Sequence, residues 1–145
     1  MSQPPSGRIY VRWWDEAETV IYHQYKPGFK RDEFDLMLKR SYALIGTKSG
    51  QIDVIIDYRE VRTFPPGMFY DSYRALMMTP ANLNRNYVLM PDATPFRLVA
   101  NTFMRLYDRI PITHKYIFMP GSTPERAYKR VLEDRIRARD SSVPS

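Results

Sequence analysis

Residues 51–58 read QIDVIIDY, and the fold turns on how this stretch is interpreted. Val54, Ile55 and Ile56 form an unbroken apolar run, with Asp57 at its C-terminal end. A half-exposed strand would alternate apolar with polar residues. An unbroken run of β-branched residues instead fits a strand covered on both faces, at the centre of a parallel sheet with helices on either side. In open α/β sheets, ligands and partners meet the loops that follow the strand ends. Residues 57–62 are therefore the expected working edge.

The segments before this strand have their own periods. Residues 8–14 alternate Ile9, Val11 and Trp13 with Tyr10, Arg12 and Trp14, a period-2 strand. Residues 15–18 are short and polar, and residues 19–25 form a second strand, so the two should pair antiparallel. Lys26-Pro27-Gly28 ends that strand. A helix follows from about Asp32, its expected N-cap, to Gly46, its expected stop, with Phe34, Met37, Leu38, Leu44 and Ile45 along one side.

After the central strand, Phe64-Pro65-Pro66-Gly67 breaks the chain. Residues 68–78 then carry Phe69, Tyr73, Leu76 and Met77 at helical spacing, and residues 86–90 (NYVLM) read as a short strand. Thr94-Pro95 starts a third helix, with Thr94 as cap and a stripe of Phe96, Val99, Ala100, Phe103 and Leu106. Residues 115–119 (KYIFM) are the last strand. The final helix starts at Ser122-Thr123-Pro124-Glu125 and runs to about Arg139, with Ala127, Val131, Leu132 and Ile136 expected inward. The order is ββαβαβαβα. Strands separated by helices imply parallel pairing through right-handed crossovers, with the first strand an antiparallel edge.

Composition bounds the function. The chain has 145 residues, enough for one domain with a core, and 43% of them are hydrophobic, as in globular proteins. Residues 1–7 and 140–145 read as loose tails around a domain at residues 8–139. No apolar run approaches the ~20 residues that span a bilayer, and the start MSQPPSGR is not a secretory signal. The absence of cysteine excludes disulfide and thiolate chemistry and fits the cytoplasm. The net charge is +6, but basic residues are scattered among acids rather than gathered in a patch. The densest stretch, residues 125–140, has six Arg/Lys against four acids, which is a solvated helix face rather than a specific nucleic-acid surface.

No catalytic constellation is present. The chain lacks GxGxxG, GxxxxGK[ST] and GxSxG patterns, so nucleotide cradles and the nucleophile elbow are absent. His23, within a strand, and His114, before one, are the only histidines, and no metal site is expected from them. Asp57 either presents a carboxylate to a partner or fixes its own turn by accepting hydrogen bonds. Thr94, Ser122 and Thr123 stand at helix starts, where they cap or border an anion. Tyr10, Trp14, Tyr22 and Tyr25, and again Phe64, Met68, Phe69, Met77 and Met78, either pack the core or line an apolar contact.

The pattern as a whole resembles the SpoIIAA-like fold, that of STAS domains (anti-sigma-factor antagonists and relatives) and their SEC14-like neighbours. The resemblance rests on the opening hairpin, the first helix GFKRDEFDLMLKR, the strand DVIIDYRE and the ending KYIFMPGSTPERAYKRVLED, and covers residues 8–137. It implies a mostly parallel sheet with helices packed on it. STAS antagonists carry a phosphorylatable serine just after the central strand's Asp. Here the matching triplet is Asp57-Tyr58-Arg59, and the nearest following hydroxyl is Thr63. A permanent cation replaces the switchable group.

The leading expectation is thus a non-enzymatic STAS-like interaction or regulatory module of a bacterial cytoplasm, with a protein partner and no cofactor. Its surface would be residues 57–69, beside the strand ends at residues 26–28 and 90–94. Asp57, Arg59 and Arg62 would make polar contacts and Phe64, Met68 and Phe69 apolar ones. The alternative is a SEC14-like binder of a small apolar ligand or lipid, held between the sheet and the second helix. A third expectation is an enzyme using Asp57 with a basic residue, for which no nucleophile–base pair is visible. Homodimerisation is left open.

Overall fold

A computed structural model describes residues 7–142. Its strands are β1 (Ile9–Trp13), β2 (Val20–Tyr25), β3 (Ile52–Asp57), β4 (Leu83–Met90) and β5 (Tyr116–Pro120). Its helices are α1 (Arg31–Gly46), α2 (Met68–Met77), α3 (Thr94–Leu106) and α4 (Pro124–Ser142), with a 3-10 turn at Pro111–Lys115. The expected order ββαβαβαβα is thus present. The sheet runs β1-β2-β3-β4-β5, antiparallel between β1 and β2 and parallel elsewhere.

This strand order has a geometric consequence. Crossovers of one hand, always taken in the same direction along a sheet, keep their helices on one face. Phe34, Met37, Leu38 and Ile45 of α1, Ala75 of α2 and Ala100 of α3 accordingly share a core with Val54, Ile56, Val88 and Met90. After β5, α4 folds back over the other face, where Ala127 and Val131 pack on Val20, Tyr22, Ile55, Tyr87 and Leu89. All six residues of β3 are buried, as the unbroken run implied.

The α4 face is locked by buried carboxylates. Asp53 accepts hydrogen bonds from Arg135 Nε (2.9 Å), Asn84 Nδ2 (3.0 Å) and the Arg85 backbone N–H (3.0 Å). Arg135 also donates to the Thr19 carbonyl at 2.9 Å, so one guanidinium ties α4 to the sheet. Asp134 accepts from the Tyr87 hydroxyl (2.8 Å) and from Arg130 Nε. Thr123 caps α4 by accepting the Arg126 N–H at 3.2 Å.

Several local expectations need correction. The N-cap of α1 is Lys30, whose N–H donates to Glu33 Oε1 at 3.0 Å; Asp32 lies inside the first turn. Gly46 is the last helical residue and has no positive φ, so it is not a left-handed cap. Thr94 is the first residue of α3, which starts after Ala93 without a side-chain cap. Leu106 lies exposed at the end of that stripe.

Two helices meet expectation only in part. In α2, Leu76 is buried as expected, but Asp71 and Ala75 share its inward side and Phe69, Tyr73 and Met77 are exposed. Apolar residues flank both sides of this helix, and the pairing of buried Asp71 with Arg31 (2.8 and 3.0 Å) selects the side. In α4, Leu132 and Ile136 are exposed, because Asp134 and Arg135 hold the inward face. That helix continues to Ser142, through the first part of the expected tail; residues 1–6 and 143–145 of the expected tails lie outside the described residues.

Removing one partner of a buried ion pair leaves an uncompensated charge and costs about 3–5 kcal/mol. Arg135→Met should therefore destabilise the protein by about 3 kcal/mol in urea denaturation. A loss below about 1 kcal/mol would show that the Arg135–Asp53 pair contributes little to holding α4.

Candidate functional site

The loop after β3 places the expected site residues in two different environments. Asp57 is buried on the α4 side of the sheet, where it accepts hydrogen bonds from the Tyr22 hydroxyl and the Arg59 backbone N–H (3.0 Å). Arg59 adds its guanidinium, with Nε at 3.0 Å from Oδ1 and Nη2 at 2.9 Å from Oδ2. Burial alone would raise the Asp57 pKa. The hydrogen bonds from Arg59 and Tyr22 outweigh it and hold the carboxyl below its ordinary value. Asp57 and Arg59 thus satisfy each other and fix the turn. Arg62 is exposed on the same loop.

Phe64, Met68 and Phe69 are brought together in the lining of a partly open cavity rather than on a flat surface. The Phe64 ring stands edge-on to Tyr58 with centroids 5.1 Å apart and meets Phe96 at 6.0 Å. Gly67, with φ of 89°, begins α2, and a Cβ there would lie 2.8 Å from Arg31 Cζ. Glycine therefore admits the Arg31–Asp71 pair that holds this end of α2 against α1. At the other end, the Tyr42 hydroxyl donates to the Ala75 carbonyl at 2.9 Å.

The cavity has a volume of about 330 Å³ and lies between the sheet, α1, α2 and α3. Its floor is made of adjacent rows of the sheet. Val54, Asn86 and Tyr116 are neighbours in one row, and His23, Ile56, Val88 and Phe118 in the next. Its roof is residues 64–69 with Ser72 and Ala75 of α2. The hollow follows from side-chain size: Ser72, Ala75 and, from α3, Ala100 point into it and fill little of the gap beneath a ten-residue helix. Lining side chains are apolar or neutral, and none is Asp, Glu, Lys or Arg.

His23, expected within a strand, is one of the polar residues of this lining. Alternation along β2 carries the missed signal, since His23 shares its face with the core residues Ile21 and Tyr25. Its Nε2 lies 2.7 Å from Ser41 Oγ, while its Nδ1 is buried without a hydrogen-bond partner. Burial pushes its pKa down to about 3, so the ring is neutral. Burial likewise pushes the Tyr58 phenol up to about 12 and that of Tyr116 well up, Tyr116 being raised further by Tyr42 and Tyr58.

The chain matches no protein-family model, no curated protein and no solved structure. Among the described residues, no group of three or more metal-ligating side chains is assembled, and no helix is long and apolar enough to cross a membrane. His114 is exposed, with Nε2 2.9 Å from the Asp108 carbonyl.

The buried neutral histidine has a pH signature. Between pH 3 and 6.5 the unfolded chain binds a proton at His23 that the native state does not, so stability falls as pH drops through this window. For one group the slope is about 0.7 kcal/mol per pH unit at pH 6.5, where the unfolded histidine is half protonated, and rises to about 1.4 near pH 5. Urea denaturation between pH 6.5 and 5 should show this slope in the native protein and lose it in His23→Gln. Equal slopes in both would mean that His23 titrates normally in the fold.

Proposed function

We propose that this protein binds a small apolar molecule in the cavity beneath α2. The observation that carries the reading is the cavity itself, about 330 Å³ with an uncharged lining. Protein interiors pack as densely as organic crystals, and voids much larger than a water molecule are few. Ligand pockets start at ~300 Å³. A chain that keeps this void gains from filling it with something other than its own side chains.

The reading takes the SEC14-like branch of the resemblance and needs no catalytic residue. Phe64, Met68 and Phe69 belong to its lining, and the Asp57–Arg59 pair fixes the turn at the start of the loop that leads to them. A second reading, a STAS-like interaction module without the phosphorylatable serine, is favoured by one observation: Phe69, Tyr73 and Met77 expose 37%, 42% and 61% of their surface along one side of α2.

Native mass spectrometry of protein purified from its own host should show an adduct that disappears on denaturation. A bare chain mass would contradict the binder reading, and a dimer mass abolished by Tyr73→Glu would favour the second. A cavity-filling variant supplies an independent check. Ala75→Leu should leave stability unchanged or raised and should displace the adduct. In a filled core the same change would lower stability by about 1–3 kcal/mol through overpacking.

A further inference from the structure

We infer that the cavity selects an uncharged ligand that carries a hydrogen-bonding group, such as an alcohol or phenol, over a carboxylate or an amine cation, and that His23 with Asn86 and Tyr116 receives that group. This rests on the binder reading above and specifies its ligand.

The lining contains no fixed charge to compensate one on a ligand. Arg59 is committed to Asp57, on the opposite side of the sheet from the cavity floor. Arg31 is committed to Asp71. A carboxylate drawn into this space would lose its hydration without gaining an ion pair, a penalty that apolar contacts do not offset. The polar groups that do line the cavity are neutral at pH 7. His23 stays unprotonated, the Tyr58 and Tyr116 phenols stay un-ionised, and Asn86 carries an amide.

One of these groups is incomplete. Buried polar atoms in folded proteins nearly always have a hydrogen-bond partner. His23 Nδ1 has none, although the opposite nitrogen is engaged by Ser41. That nitrogen is closed to a water-sized group as the lining stands, so a ligand hydroxyl reaches it with a small adjustment of the lining; a hydroxyl can donate or accept and so suits either tautomer of the ring. Asn86 and Tyr116 are paired in the neighbouring row, across β3 from His23, and offer a second polar contact on the same floor. Size narrows the class further. The volume, at the small end for ligand pockets, suits a single substituted ring or a medium-chain alcohol.

Three probes of one shape test this by isothermal titration calorimetry at pH 7.5: propylbenzene, 4-propylphenol and 4-propylbenzoate. The phenol should bind about tenfold more tightly than propylbenzene, and the benzoate should not bind measurably. His23→Leu should reduce the advantage of the phenol to about twofold or less. Tyr116→Phe, which removes a single hydroxyl and leaves the packing in place, should reduce it by a factor of about three. Benzoate binding as tight as that of the phenol would overturn the inference and leave the binder reading standing. A preference for the phenol unchanged in both variants would do the same. If propylbenzene and the phenol both fail to bind the native protein, the binder reading itself falls.

Discussion

Four parallel strands laid down in chain order, each crossover turning the same way, constrain everything else in this molecule. The arrangement places α1, α2 and α3 on one face and leaves α4 to cover the other alone. The middle crossover carries the shortest of the three helices. Its ten-residue helix, reached through Phe64-Pro65-Pro66-Gly67, has to roof the centre of a five-stranded sheet. Helices on both sides of it are longer and carry large inward side chains. The cavity is the space that this short roof, with Ser72 and Ala75 on its inner side, leaves unfilled.

The two faces of the sheet are held by different physics. On the α4 face, buried carboxylates at Asp53, Asp57 and Asp134 are each met by arginine and by hydroxyl or amide donors. Such networks are costly to break and specify one arrangement of the helix on the sheet. On the opposite face, the helices rest on apolar contacts, and α2 is pinned mainly at its ends by Arg31–Asp71 and by Tyr42 to the Ala75 carbonyl. A rigid polar back and an uncharged, incompletely filled front suit a scaffold that keeps its frame while a molecule occupies its interior.

Much of the frame was legible in the sequence because it depends on local period and punctuation. The run Val54-Ile55-Ile56 marked the centre of the sheet, the alternation of residues 8–14 marked the hairpin, and Thr123-Pro124 marked the start of α4. Helix rotation was less legible. Of the expected stripe Phe69, Tyr73, Leu76 and Met77 only Leu76 is buried, because an ion pair across forty residues of sequence, Arg31 to Asp71, sets the inward side. Leu132 and Ile136 read as inward for the same reason, since the Arg135–Asp53 contact leaves no mark in the local sequence. The expected loop site was half legible: its apolar members Phe64, Met68 and Phe69 do converge, but around a hollow. A hollow is a sum of side-chain volumes from three helices and a sheet, and no single segment records it.

The central claim, that this interior is open and takes an apolar guest, is tested most directly by a crystal structure under xenon pressure. Xenon enters apolar cavities without needing a hydrogen bond or a charge. The account predicts an anomalous xenon peak between the sheet residues Val54 and Val88 and the small side chains Ala75 and Ala100. A crystal with no xenon there, and with Phe64 or Phe96 turned in to fill the space, would contradict it.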